Sequence, residues 1–209
     1  PADKIERPKK ERFMANFYDA DEVNRLFEIS KGTKLEIPIL FGAFYGMRRS
    51  ETLGMKWDAI DFERDTITIR HTLTTVALDG KRITVAEDRT KNKSSMRTLP
   101  LVPFVKERLL ELKAEQEENR RLCGRSYVKD YTGYVCINEI GDIIKPNYVS
   151  CGFPKLLEEH GLRRVRYHDL RHSCASLLLA NGVPMKQIQE WLGHSDFSTT
   201  ANIYAHLEY

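Results

Sequence analysis

Hydrophobic positions along this chain follow two rhythms, a helical one toward both ends and an alternating one between them. Val23, Leu26 and Phe27 recur at helical spacing behind Asp19-Ala20-Asp21-Glu22, which supplies a cap and first-turn acids. A second helix is expected over 35–45, where Pro38 is tolerable only near the first turn. After Gly46 the chain turns, and Ser50, Leu53 and Trp57 restart the helical spacing. Across 60–101 the period drops to two. Thr66-Ile67-Thr68-Ile69 and Ile83-Thr84-Val85 alternate, Asp79-Gly80 is a hairpin-turn pair, and 91–95 reads as a second turn. This predicts three antiparallel strands in one small sheet. Val105, Leu109 and Leu112 mark a long helix over 103–121, and Tyr134-Val135-Cys136-Ile137 reads as a short buried strand. Pro146 opens a helix reaching His160, which Pro154 must kink or split. Helices over 167–180, closed by Asn181-Gly182, and over 184–192, closed by Gly193, come next. A last one is expected to carry Tyr204. The fold class is α+β, mainly α-helical, with a small three-stranded antiparallel sheet.

Composition changes this picture little. With 209 residues, 41% hydrophobic and 30% charged, the chain has the make-up of an ordinary globular domain. A net charge of +3 does not announce a nucleic-acid partner, but its distribution says more. Basic residues gather at Lys9-Lys10-Glu11-Arg12, along 89–97, and at Arg163-Arg164-Val165-Arg166. Cys123, Cys136, Cys151 and Cys174 follow neither a zinc spacing nor a dense disulfide framework. No signal peptide and no membrane-spanning apolar run is present, so a cytoplasmic setting with reduced thiols is expected. Residues 1–16 are polar and read as a linker; 17–209 form the folded domain.

The chemistry concentrates near the C-terminus. Tyr167-His168-Asp169-Leu170-Arg171-His172 is continued by Leu192-Gly193-His194 and closed by Ile203-Tyr204-Ala205-His206. His168 and Arg171 lie three apart on a helix, and Gly193 places His194 at a helix end. A guanidinium, imidazoles and a phenol together suit work on a phosphodiester. Arg grips phosphate oxygens in bidentate fashion, His moves protons, and Tyr can act as nucleophile.

In order and spacing these residues resemble the tyrosine recombinases, or phage-type integrases. His168-x-x-Arg171, Leu192-Gly193-His194 and Thr200-x-x-x-Tyr204 match that family's C-terminal boxes. Gly46-x-Arg48-x-x-Glu51 matches its upstream arginine motif, and Lys91 ahead of Arg97-Thr98-Leu99-Pro100 matches its lysine turn. The likeness runs over nearly the whole chain, from about Phe17 to His206, and the 89–100 stretch looks most like integrases of conjugative transposons.

The resemblance implies a site-specific recombinase that cleaves and rejoins double-stranded DNA through a 3′-phosphotyrosyl intermediate, integrating or excising a mobile element without metal or cofactor. Arg48 and Arg171 would clamp the non-bridging phosphate oxygens, with Arg48–Glu51 as a mere i,i+3 ion pair and Arg49 as competing readings. Lys91 would protonate the leaving 5′ oxygen, with Lys93 as rival. His168 would help take the tyrosine proton, His194 would hydrogen-bond the phosphate, and Tyr204 would attack phosphorus. Arg49, Lys93, Arg97, Arg163, Arg164 and Arg166 are the candidate DNA contacts. The family also implies a homotetramer acting on two duplexes through a Holliday junction, association with the bacterial nucleoid, and an N-terminal DNA-binding region ahead of this domain. Two other enzyme classes remain open: a type IB topoisomerase-like relaxing enzyme, and a zinc hydrolase using His168 and His172. The hydrolase pattern wants Glu directly after the first His, where Asp169 stands.

Overall fold

A computed structural model describes residues 17–78, 81–87 and 96–194. The expected turns at 79–80 and 91–95, and the segment holding Tyr204, lie outside the described residues, as do Lys91 and Lys93. Helix α1 (Ala20–Ser30) opens on a cap in the stretch expected to supply it: Asp19 is the N-cap and forms a reciprocal capping box with Glu22. Helix α2 (Glu36–Phe44) holds Pro38 in its first turn and is buried on nearly every side. The short α3 (Arg49–Leu53) stops at Gly54, and Trp57 falls in a separate 3-10 turn. A Cβ on Gly54 would stand 2.6 Å from the Thr72 backbone. The helix thus ends earlier than its hydrophobic spacing suggested, and the bare Gly54 lets β3 (Thr72–Leu78) pack against its end.

The single sheet expected from the alternation is two. Strands β1 (Ile60–Asp61), β2 (Thr66–Ile69) and β5 (Arg97–Pro100) form an antiparallel sheet with β2 central, pairing Ile67 with Leu99 and Ile69 with Arg97. Strands β3 and β4 (Lys81–Glu87) pair only with each other. Arg70-His71 carries the chain out of β2, and β5 rather than the 83–85 strand joins β2 in the sheet. Val76 and Ile83, directly opposed on the hairpin, are 45% and 42% exposed, so this ribbon buries no second face. The 134–137 strand reduces to single bridges, Lys56 with Tyr134 and Ile137 with Ile143.

Helix α4 (Pro103–Cys123) buries Val105 and Leu109 as predicted. Helix α5 (Pro146–Glu159) runs through Pro154 without splitting. An interior proline costs ~3 kcal/mol. Val149, Phe153, Leu156 and Leu157 are buried on either side of it and hold both halves to the core, each worth about 1.5–3 kcal/mol. Helices α6 (Asp169–Ala180) and α7 (Met185–Leu192) enclose a small cluster of Cys174, Ala175, Ile188 and Leu192. The main core joins α1, α2, the β2–β5 sheet, α4 and α5. Tyr167, just ahead of α6, is buried; its hydroxyl donates to the Pro38 carbonyl (2.6 Å) and lies 3.2 Å from Thr52 Oγ1. That pins the start of α6 between α2 and α3. Among the described residues no helix is long and apolar enough to cross a membrane.

Candidate active site

Two glycines shape the site's backbone. Gly46 adopts φ +61°, and a Cβ there would meet Leu192 Cδ2 at 2.3 Å, so the turn leading to Arg48 can pack on α7 only without a side chain. Gly193 ends α7 in the left-handed conformation (φ 66°), with the amides of Gly193 and His194 turned back onto Glu190 and Gln189. His194 therefore leaves the helix at a fixed angle, as the glycine predicted.

Arg171 ties these pieces together. It is 2% exposed. Its Nη1 donates to the Gly46 carbonyl (2.5 Å), its Nη2 to the Leu192 carbonyl (2.5 Å), and its Nε to His194 Nε2 (3.2 Å). Burial first, then the like charges of Arg48 and Arg97, push its guanidinium down to about 9. It remains a cation at neutral pH. His194 Nε2 accepts a hydrogen bond, so its proton sits on Nδ1. Burial, followed by the charges of Arg171, Arg48, His172 and Arg97, pushes the His194 imidazole down to about 3.

Arg48 precedes α3, with its side chain 36% exposed, and donates through Nη1 to Glu51 Oε1 (2.7 Å). The Glu51 carboxylate is 2% exposed and also accepts from the Arg48 backbone amide (2.9 Å) and from both terminal nitrogens of Arg97 (3.4 and 3.1 Å). Burial raises its pKa, but the charge and hydrogen bonds of Arg97, then of Arg48, outweigh this and leave it lower than an ordinary carboxyl. Arg48 thus forms the i,i+3 ion pair to Glu51 while its guanidinium stays partly open to solvent.

His168 stands at the N-terminus of α6, edge-to-face with His172 (ring centroids 5.6 Å apart, interplanar angle 84°). Both imidazoles are lowered, His168 by burial and the neighbouring His172 and Arg171, His172 by burial ahead of the cationic Arg171 and Arg166. Neutral at pH 7, His168 can accept a proton. Among the described residues His172 Nδ1 is buried without a hydrogen-bond partner. Sequence reasoning considered His172 only as a zinc ligand. Among the described residues no group of three His, Cys, Asp or Glu side chains could hold a metal.

Beside His168 opens a cleft of about 810 Å³ lined by Arg49, Ser50, Ser150, Arg164 and Arg166. Arg49 bonds Ser150 Oγ, and Arg166 forks onto the buried Asp169 (Nη2–Oδ1 2.7 Å) while remaining largely exposed. Two other candidate DNA contacts sit elsewhere. Arg163 bonds Glu22 and the Phe17 carbonyl and lies over the Tyr18 ring, which fastens α1 to the approach to α6. Arg97 is 8% exposed and faces inward. Basic runs look alike in sequence whether their members face solvent or a buried carboxylate.

A family model described as the phage integrase family matches residues 16–209. The chain belongs to that family. Its relatives in this family include a protein named tyrosine recombinase XerC-like from Caldanaerobacter subterraneus subsp. tengcongensis, 32% identical over 212 residues, covering 99% of this chain and 53% of that protein. The chain spans about half the length of the curated relatives it matches. Among solved structures, an integrase of the Tn1549 transposon in complex with transposon right end DNA superposes with TM-score 0.76 at 19% identity, covering 95% of this chain and 64% of that one. A XerA recombinase superposes with TM-score 0.70 at 18% identity, covering 91% and 60%. These likenesses establish the integrase-type fold: mainly helical, with small antiparallel sheets.

Proposed function

We propose that this chain is the catalytic domain, residues 17–209, of a site-specific DNA recombinase. The observation that carries the reading is the bonding of Arg171 to Gly46, Leu192 and His194, which joins three motifs scattered through the sequence around one buried cation. Arg48 and Arg171 would face the phosphate, where fixed guanidinium groups stabilise the extra charge of a transition state without reorganising. Tyr204 Oη attacks phosphorus and its proton passes to His168. The bond to the 5′ oxygen breaks, and Lys91 supplies the proton that makes a 5′ hydroxyl. A 5′ hydroxyl from a second duplex then attacks the phosphotyrosine, releasing Tyr204 and joining the exchanged strands. His194 donates from Nδ1 to a phosphate oxygen. The Arg49–Arg164–Arg166 cleft follows the DNA backbone on the far side of His168.

Family membership supports four protomers on two duplexes, passing through a Holliday junction, and the 89–100 stretch favours a mobile element as the DNA served. Incubation with nicked duplexes followed by a denaturing gel tests the chemistry. Wild type is expected to form a covalent protein–DNA adduct and Tyr204→Phe none, while both bind DNA. An adduct at wild-type yield in Tyr204→Phe would reject the nucleophile. Relaxed circles without joined duplexes would favour a topoisomerase.

A further inference from the structure

Arg97 is built into the site more deeply than a DNA contact would be. It occupies the inward register of β5 beside Leu99, with its side chain 6% exposed. Its two terminal nitrogens cover both oxygens of Glu51, and its Nε donates to the Trp191 carbonyl (2.6 Å). Arg171, from α6, takes the next carbonyl, that of Leu192. Two guanidinium groups from different elements thus hold consecutive carbonyls at the C-terminal end of α7, where the helix dipole favours cations. His194 follows directly.

Glu51 is the hinge of this arrangement. It is a buried carboxylate within reach of two arginines, and Arg48 is the more exposed of them. A carboxylate and a guanidinium match best when both oxygens meet both nitrogens. Arg97 holds that forked position, so Arg48 reaches Glu51 through Nη1 and keeps part of its guanidinium open. Without Arg97, the buried charge would have Arg48 as its remaining ion-pair partner here and would draw it into the fork.

We infer that Arg97 is a positioning residue for phosphate binding: it occupies Glu51 so that Arg48 stays available, and it fixes the end of α7 that presents His194. This rests on the recombinase reading proposed above. The test is single-turnover adduct formation by wild type, Arg97→Ala, Glu51→Gln and the double variant, with thermal unfolding recorded for each. Arg97→Ala is expected to slow cleavage by about 10²-fold, the scale of a misplaced catalytic geometry. Adding Glu51→Gln removes the charge that captures Arg48 and is expected to restore about tenfold, a coupling within the range for residues of one network. A residue that merely supports the fold predicts the opposite sign, because losing two buried partners adds damage. A double variant no faster than Arg97→Ala, or an Arg97→Ala that cleaves like wild type, overturns the inference. If Arg97→Ala does not fold, Arg97→Lys with and without Glu51→Gln makes the same comparison. If wild type itself forms no adduct, the recombinase reading fails instead. The Arg97 link is then read by carboxyl-carbon NMR: an upward shift of the Glu51 titration in the folded Arg97 variant supports it, and an unchanged titration overturns it.

Discussion

Arg171 donates through Nε to Nε2 of His194 at 3.2 Å, so the arginine that would grip the phosphate also sets the histidine's tautomer. The two cannot be altered independently. Loss of the guanidinium frees His194 to rotate and to move its proton, and protonation of His194 would break the bond to Arg171.

The first consequence concerns pH. His194, His168 and His172 all titrate below an unfolded imidazole. Between the folded values and about 6.5 the unfolded chain binds more protons, so stability rises with pH there and is lost as pH falls. Thermal unfolding is expected to be level from about pH 8 to pH 7 and to drop from about 6.5 downward. The loss starts ahead of the carboxylates Glu51 and Asp169, which are also lowered and act only below about pH 4.3. His194→Gln should flatten the slope. An unfolding temperature independent of pH across this window would contradict the buried neutral cluster.

Arg171→Lys tests the guanidinium. One ammonium cannot reach the Gly46 and Leu192 carbonyls together while also meeting two phosphate oxygens. Cleavage should fall by about 10²-fold or more, the scale of a lost oxyanion donor, with a lowered unfolding temperature as well. Equal single-turnover rates for the lysine variant and wild type would dismiss the forked role.

Salt dependence separates the basic residues. Replacing Arg164, on the cleft, should reduce the slope of log affinity against log salt by about one, as for a phosphate contact. Arg163 is engaged with Glu22 and Phe17, and its replacement should instead lower stability and leave the slope alone. The reverse pattern would move the DNA path off this cleft.

Lys91 and Lys93 are told apart by the leaving group. With sulfur in place of the bridging 5′ oxygen the departing thiolate needs little acid help. Lys91→Ala should be slow on ordinary DNA and near wild type on the sulfur strand. Lys93→Ala should differ little between the two substrates. Rescue of Lys93→Ala alone would transfer the role.

What could be read from the sequence is what local chemistry dictates. Asp19 and Glu22 start a helix wherever they are placed, and Gly193 ends one, so the position of His194 followed without coordinates. Pro154 does not split α5, because the rule for proline weighs one missing hydrogen bond, whereas the flanking buried side chains weigh the whole helix. A small three-stranded antiparallel sheet was legible, but not which strands form it, because alternation marks strands and not their partners. Arg97 was legible in principle: period two places it on the face of Leu99, and an arginine on a buried face needs a carboxylate. Which carboxylate is a tertiary fact, since Glu51 lies 46 residues away.

Gly46 and Arg171 are separated by 125 residues of chain, and the bond between them has a consequence for the timing of synthesis. Ribosomes deliver the N-terminal side first, so α1 to α5 emerge while the Gly46 carbonyl still lacks its partner. Contacts this distant in sequence close late, after the local helices and hairpins have formed. A nascent or prematurely ended chain would hold Arg48 and Glu51 but no buried cation between the Gly46 turn and α7. On the proposed mechanism, DNA cleavage therefore becomes possible only once α6 has docked against the Gly46 turn.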